Sequence, residues 1–323
     1  MFMQLQSKAL YNLVKFTSYY NPSFDVKKWQ IENLRVEKEN NLFRRLKGLG
    51  LNLDKEIFLK YINEVDSPEQ LSNLLAGEID IEVQDQIYLI LFELFRRFSS
   101  QKCLSIFCDE LDHRIFLYDT DGLENDELIQ NAIANLKNIL DSNIDLGLSY
   151  KKAFENLLEY LAHDLENFLF DYISDVIDAK NKTYAFDLID GFYPYVNKKL
   201  WFDFLKAKHQ ALSSVGSSNE IIEKIFSSLK DKPNLDLQLR ILKFMVDIGE
   251  RNLFLKIVKE TSSHLKKEKE FKEILNIAID FYTRLDKDHL TQTISNFLSK
   301  RSKIKQDYSL KKADFAQFLK ILS

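Results

Sequence analysis

Ile57-Phe58-Leu59-Lys60-Tyr61-Ile62-Asn63-Glu64-Val65-Asp66-Ser67-Pro68-Glu69 is the stretch that decides the fold class. Ile57, Phe58, Tyr61, Ile62 and Val65 recur at i, i+1, i+4, i+5 and i+8. A helix with about 3.6 residues per turn gathers that spacing into one wide apolar stripe. The stripe stops at Asp66-Ser67. Ser67 offers an N-cap oxygen, Pro68 suits a first helical position, and Glu69 complements the positive end of a new helix. One helix, a tight seam and the start of the next therefore read off thirteen residues.

The same grammar extends outward. Ile221, Ile222, Ile225, Phe226 and Leu229 repeat the stripe. The chain has eight glycines and four prolines. Gly48, Gly50, Gly77, Gly122, Gly147, Gly216 and Gly249 fall between apolar-periodic segments, where a left-handed C-cap is cheap for glycine. Valine is scarce beside leucine, lysine and glutamate, so strand formers are under-used. Arg114-Ile115-Phe116-Leu117-Tyr118-Asp119 could pass as a strand, but it lacks a partner and reads as helix end or loop. Roughly seventeen short helices are expected.

That many short helices bury their stripes either in a closed bundle or in a stacked array. Residues 237–260 align with 274–297: Leu237 with Ile274, Leu242 with Ile279, Phe244 with Phe281, Ile248 with Leu285, Leu253 with Leu290, and Ile257 with Ile294. Val215-Gly216-Ser217-Ser218-Asn219 likewise matches Ile248-Gly249-Glu250-Arg251-Asn252. The expected fold is all-α: antiparallel helix hairpins stacked as an α-solenoid-like array of tetratricopeptide or HEAT-type unit length. A compact multi-helix domain is the alternative. The expected division is an N-terminal helical domain over 1–120 and a C-terminal helical-repeat domain over 121–323.

Hydrophobic residues make up 45% and charged residues 29% of the 323 positions, a globular rather than a disordered balance. The longest apolar run, Ile87-Tyr88-Leu89-Ile90-Leu91-Phe92, ends at Glu93, far short of the about 20 apolar residues a membrane span requires. It reads as a helix buried on most sides. Met1–Lys8 lacks the basic start and apolar run of a secretory signal. Cys103 and Cys108, five apart, point away from one another on a helix and do not form a disulfide framework. A cytoplasmic location, with no membrane association, is expected.

Net charge is −4, unevenly spread. Residues 51–200 carry 29 acidic and 13 basic side chains, while residues 301–323 carry 2 and 6. An acidic face for a basic partner is one expectation. A basic C-terminal tail (Arg301, Lys303, Lys305, Lys311, Lys312) for nucleic acid is another. Between them, residues 184–204 hold eight aromatics around Gly191-Phe192-Tyr193-Pro194-Tyr195. Tyr184, Phe192, Tyr193, Tyr195 and Trp201 are the expected partner-binding residues, since tyrosine and tryptophan suit surfaces that are apolar at one end and wet at the other. A junction core is the competing reading.

Motifs for chemistry are sparse. His163-Asp164, within Leu161-Ala162-His163-Asp164-Leu165, resembles the central dipeptide of the HD-type metal phosphohydrolases. That resemblance implies a metal-activated water held by His163, Asp164, a second histidine (His113 or His209) and a distant aspartate such as Asp231. Glu166-Asn167 follows where that family often has Gly-Lys. Arg284 and His289 fit the loose Arg-x4-His spacing of the HEPN ribonucleases. Asp109 and His113 share a helix face. Asp119-Thr120-Asp121-Gly122 fails as a calcium loop because Leu117 and Leu128 would occupy ligand positions. Asp171, Asp175 and Asp178 form an acidic stripe without a matching second helix. The sequence therefore points to a non-enzymatic scaffold or adaptor that binds a protein or peptide and carries no cofactor. An all-α phosphohydrolase or ribonuclease, and a nucleic-acid binder, are the alternatives.

Overall fold

A computed structural model describes residues 7–77 and 80–322. Most of the segment read above for a secretory signal lies outside them. Among the described residues the protein is all-α, as expected, with eighteen α-helices and no strand beyond a single bridge between Lys267 and Ser309. The first six helices are α1 (Ser7–Tyr20), α2 (Lys28–Ile31), α3 (Glu39–Gly48), α4 (Lys55–Ile62), α5 (Pro68–Ala76) and α6 (Ile81–Phe98), with a 3-10 turn at Leu34–Val36. Next come α7 (Leu104–Asp119), α8 (Glu127–Asp145), α9 (Tyr150–Leu158), α10 (Leu165–Asp178), α11 (Lys182–Phe192) and α12 (Lys199–Ala211). The last six are α13 (Val215–Leu229), α14 (Leu235–Ile248), α15 (Arg251–Ser262), α16 (Glu268–Arg284), α17 (Asp288–Lys300) and α18 (Lys312–Leu322). No described helix is long and apolar enough to cross a membrane.

The quoted stretch folds as its spacing dictates. Phe58, Ile62 and Val65 are buried, and Ser67 Oγ accepts from the Gln70 N–H at the start of α5. Ile57, at the edge of the stripe, stays 40% exposed. Every residue of the Ile87–Phe92 run is buried. Arg114–Asp119 is the last part of α7 rather than a loop.

The chain divides into two compact units, Met1–Phe168 and Leu169–Ser323. The division falls within α10, whereas residue 120 lies between α7 and α8, which pack on each other. In unit one, α6 forms the spine. Its Ile87, Ile90, Leu91, Leu94 and Phe95 share a core with α3, α4 and α5. In unit two α12, α13 and α14 each pack on the next helix and also on the next but one: α12 on α13 and α14, α13 on α14 and α15, α14 on α15 and α16. The chain after α17 returns to this unit, where Tyr308 O accepts from Glu268 N, Gln306 O from Lys269 N, and Lys266 O from Leu310 N.

The helix ends depart from the expectation at several glycines. Gly50 and Gly147 are left-handed, with φ of 92° and 93°. Each closes a helix by the paired bonds of a Schellman motif, Leu51 N to Leu46 O and Leu148 N to Asn143 O being the longer-range ones. Three further ends use the same bonding with Asp121, Lys180 and Asp286 in the left-handed position, at φ 53°, 61° and 53°. Gly216 is not a seam but lies in the first turn of α13, which Ser214 caps, so the match of 215–219 to 248–252 pairs a helix start with the seam between α14 and α15. The offset match of 237–260 to 274–297 survives: it sets α14 and α15 against α16 and α17.

Candidate functional site

Two places collect the residues singled out by the sequence. The first lies in unit two, where Asn181 Oδ1 accepts from Tyr184 N and starts α11. Ala185, Leu188, Ile189 and Phe192 follow at helical spacing and face inward. Phe192 and Tyr195 are almost wholly buried, so these two rings belong to the core, not to an accessible face. Phe186, on the opposite side of α11, is 56% exposed.

Tyr184, Tyr193 and Trp201 are half-buried. The Tyr184 hydroxyl lies 3.4 Å from that of Tyr172. Two cations lie over the Tyr193 ring: Lys206 Nζ sits 3.1 Å and Lys199 Nζ 4.6 Å from its centroid. Burial, reinforced by a hydrogen bond to Asp203, raises its phenol above the ordinary range. Trp201 meets Phe170 edge-on at 5.0 Å. The Arg240 guanidinium covers both rings, 5.4 Å from Trp201 and 5.3 Å from Phe170, and bonds Asp171 at 3.0 Å. Exposed Asp175, Asp187 and Asp190 lie on α10 and α11. The result is an aromatic ledge of Trp201 and Phe170 under the Arg240 guanidinium, with Tyr193 as a separate ring beside two lysines and exposed carboxylates on α10 and α11. Such cation–π contacts contribute about 0.5–1 kcal/mol each at exposed sites.

Unit two also carries two open clefts that the sequence did not reveal. One, of about 480 Å³, runs between α14 and α16 and is lined by Lys243, Val246, Lys272, Asn276 and Ile277. Another, also about 480 Å³, is lined by Asn219, Glu223, Asn252, Leu253 and Lys256 of α13 and α15. Grooves of this kind depend on which helices become neighbours, and no local pattern records that.

The second place is in unit one, around Asp112 on α7. Asp112 is fully buried. Its carboxylate accepts from Ala162 N at 2.9 Å, His163 N at 3.1 Å, His163 Nδ1 at 2.8 Å and Asn12 Nδ2 at 3.2 Å. His163 packs its ring on Phe16, with centroids 4.4 Å apart. Asp164 caps α10 instead, accepting from Asn167 N at 3.1 Å and Asn167 Nδ2 at 2.8 Å. The dipeptide is therefore split between two structural tasks. Among the described residues no group of three or more His, Cys, Asp or Glu is arranged to hold a metal ion. Asp109, one turn before Asp112, takes Arg35 at 2.5 Å and Lys8 at 3.2 Å. Burial raises its pKa, but Lys8 and Arg35 outweigh that and hold the carboxyl below the ordinary range.

Most of the remaining candidates are engaged by neighbouring groups. Arg284 donates to Asp247 O and Gly249 O, both at 2.7 Å, tying the end of α16 to the end of α14. His289 is exposed in the first turn of α17. His209 Nε2 lies 3.0 Å from Lys182 O. Asp171 and Asp178 are engaged by Arg240 and Lys208. Arg301 is not part of a free tail: its guanidinium is buried against Glu268 and Asp314. Cys103 and Cys108 are free thiols, and burial holds Cys108 well above the ordinary thiol range.

No family model matches the chain, and no solved structure does. It is similar to part of the DNA polymerase III subunit alpha of Buchnera aphidicola subsp. Schizaphis graminum (strain Sg), 40% identical over 71 residues. That is 22% of this chain, which spans only 6% of the polymerase subunit's length.

Proposed function

We propose that this chain is a non-enzymatic helical-array protein that binds a protein or peptide partner, and that its contact surface includes the half-buried rings of Tyr184, Tyr193 and Trp201. The observation that supports this is the packing order of unit two. Helices α12, α13 and α14 each touch the next helix and the next but one, which is what successive helices of an α-solenoid-like stack would do. Such stacks offer grooves between like-facing helices, and the clefts along α14/α16 and α13/α15 are grooves of that kind. Aromatic rings with nearby carboxylates favour a basic partner, whose lysines or arginines compete with Arg240, Lys199 and Lys206 for the ring faces. The sequence's acidic middle agrees.

The test is comparative affinity capture with wild-type protein and a Trp201→Ala/Tyr193→Ala variant, followed by measured affinities for each recovered partner. A partner lost from the variant but retained by a Phe186→Ala control supports the reading. If every recovered partner binds both proteins equally, these rings are not the contact surface.

The partial likeness to a DNA polymerase subunit favours one second reading, in which a surface of the chain meets nucleic acid. The exposed Lys303, Lys305 and Lys311 would supply it, Arg301 being engaged internally. Binding to single- or double-stranded DNA that weakens steeply with salt supports this reading, and its absence at low salt removes it.

A further inference from the structure

Unit one contains a polar cavity that the partner-binding proposal does not use. Residues of α1, the Lys28–Val36 segment, α6 and α7 enclose about 40 Å³. Its apolar floor includes Phe16, Leu89 and Phe92. One water-sized probe occupies about 10–15 Å³ on this measure. The space therefore admits a few water-sized atoms, enough for the four oxygens of a tetrahedral oxyanion.

The charges around it do not balance. Three cations, Lys8, Lys15 and Arg35, line the cavity with three carboxylates, Glu32, Glu93 and Asp109. Two of the carboxylates are neutralised from outside. Glu32 receives a bidentate fork from Arg45 at 2.8 and 2.7 Å. Glu93 receives Arg96 at 2.5 Å and Arg97 at 2.7 Å. That leaves Asp109, which Lys8 and Arg35 already share. Arg35 has a second acceptor in Glu110 at 2.6 Å. Lys15 makes no hydrogen bond or ion pair within 4 Å among the described residues, and neither does the His113 ring, which also lines the cavity. A half-buried ammonium near two other cations, whose one nearby carboxylate, Asp109, is already shared by both of them, is under-compensated. The titration behaviour agrees. Burial, with Lys8 and Arg35 adding to it and Asp109 opposing, lowers the Lys15 ammonium, and burial with Arg35, against Glu110 and Asp109, lowers the His113 imidazole to about 4.

We propose that this cavity is a binding site for a small tetrahedral dianion, inorganic phosphate or the terminal phosphate of a monoester, with Lys15 as its principal ligand and Arg35 and His113 completing the shell. The dianion would supply the charge that Lys15 lacks and would accept from donors that the protein leaves unused. Arg35 can turn a guanidinium N–H toward it without releasing Asp109, because its fork carries five donors.

The experiment uses the full chain. Sodium phosphate is titrated by calorimetry, and thermal unfolding is followed in phosphate and in sodium chloride at equal ionic strength. Wild-type protein should bind phosphate and melt higher in phosphate than in chloride. Lys15→Met should bind roughly tenfold to a hundredfold more weakly, the loss of a charged hydrogen bond. Because Lys15 lacks a partner, this variant should melt in chloride no lower than wild type. Lys15→Arg keeps the charge and should keep binding, which controls for a folding defect in the methionine variant. In the NMR spectrum phosphate should raise the titration midpoint of His113 and leave that of His289 in place. Glycerol 3-phosphate separates the two sources: binding at least as tight as phosphate identifies a monoester, and exclusion identifies the free ion. Equal melting in phosphate and chloride, undiminished binding by Lys15→Met, or a His113 midpoint unmoved by phosphate would each overturn the proposal.

Discussion

Replacing Arg301 by methionine strands a carboxylate inside unit two. Glu268 is fully buried, and Arg301 meets it through a fork, Nε to Oε1 at 2.9 Å and a terminal nitrogen to Oε2 at 2.5 Å. The third guanidinium nitrogen bonds Asp314 Oδ1 at 2.8 Å. The guanidinium carbon lies 5.0 Å from the centroid of the Phe271 ring. Methionine fills much of the same volume against that ring, so the cost is electrostatic rather than a cavity. Breaking a buried pair by removing one partner costs about 3–5 kcal/mol. At roughly 2–4 °C per kcal/mol for a domain of this size, the melting point should fall by about 10 °C. Urea unfolding monitored by circular dichroism at pH 7 measures the free energy directly. Glu268→Gln in the Arg301→Met background removes the stranded charge and should recover more than half of the loss. An Arg301→Met protein within about 1 kcal/mol of wild type would refute the reasoning. So would a Glu268→Gln change that makes the double variant worse.

Four other outcomes follow from the geometry. Lys180→Gly should raise stability by about 0.5–1 kcal/mol in denaturant, because lysine is strained at its φ of 61°. Gly147→Ala, at φ 93°, should lower it by about 1 kcal/mol. Asp112→Ala leaves the Ala162 and His163 N–H groups and Asn12 without their acceptor, and should cost about 3 kcal/mol by the same measurement. His113 has a folded pKa of about 4, below the ordinary imidazole value, so the unfolded chain binds the extra proton first. Its contribution is complete above about pH 6.5 and fades as pH falls toward 4, by about 1–2 kcal/mol after allowance for its partial exposure; His113→Gln should flatten that part of the stability profile.

The helices were legible because their cause is local. Apolar spacing, the Ser67-Pro68 start and the apolar run on α6 each state a preference that packing then satisfies. Helix ends were harder. Whether a terminal residue turns left-handed depends on where the chain must go next, so Asp121, Lys180 and Asp286 take positions that glycine occupies elsewhere. Gly216 and Gly249 remain right-handed or extended. α7 hid the most. Its inner face carries Asp109 and Asp112 among Leu111 and Ile115, which blurs the apolar stripe. The partners that make those aspartates tolerable lie on α1 and in the turn after α9, about a hundred and about fifty residues away. The aromatic segment was legible as a cluster, but composition could not tell which rings face inward. Phe192, on the inner face of α11, and Tyr195, in the turn after it, do, while Trp201 in the first turn of α12 stays half-buried.

The return of residues 306–310 to the start of α16 bears on how the protein is made. Glu268 leaves the ribosome thirty-three residues ahead of Arg301. At about 5–20 residues per second, synthesis leaves that carboxylate without its counter-charge for roughly 2–7 s. During that interval the first turn of α16 has reason to stay in water, and the Glu268 and Lys269 N–H groups still await the Tyr308 and Gln306 carbonyls. Unit two is therefore expected to close late on the growing chain, sealed by its last residues, while unit one has already emerged and can fold.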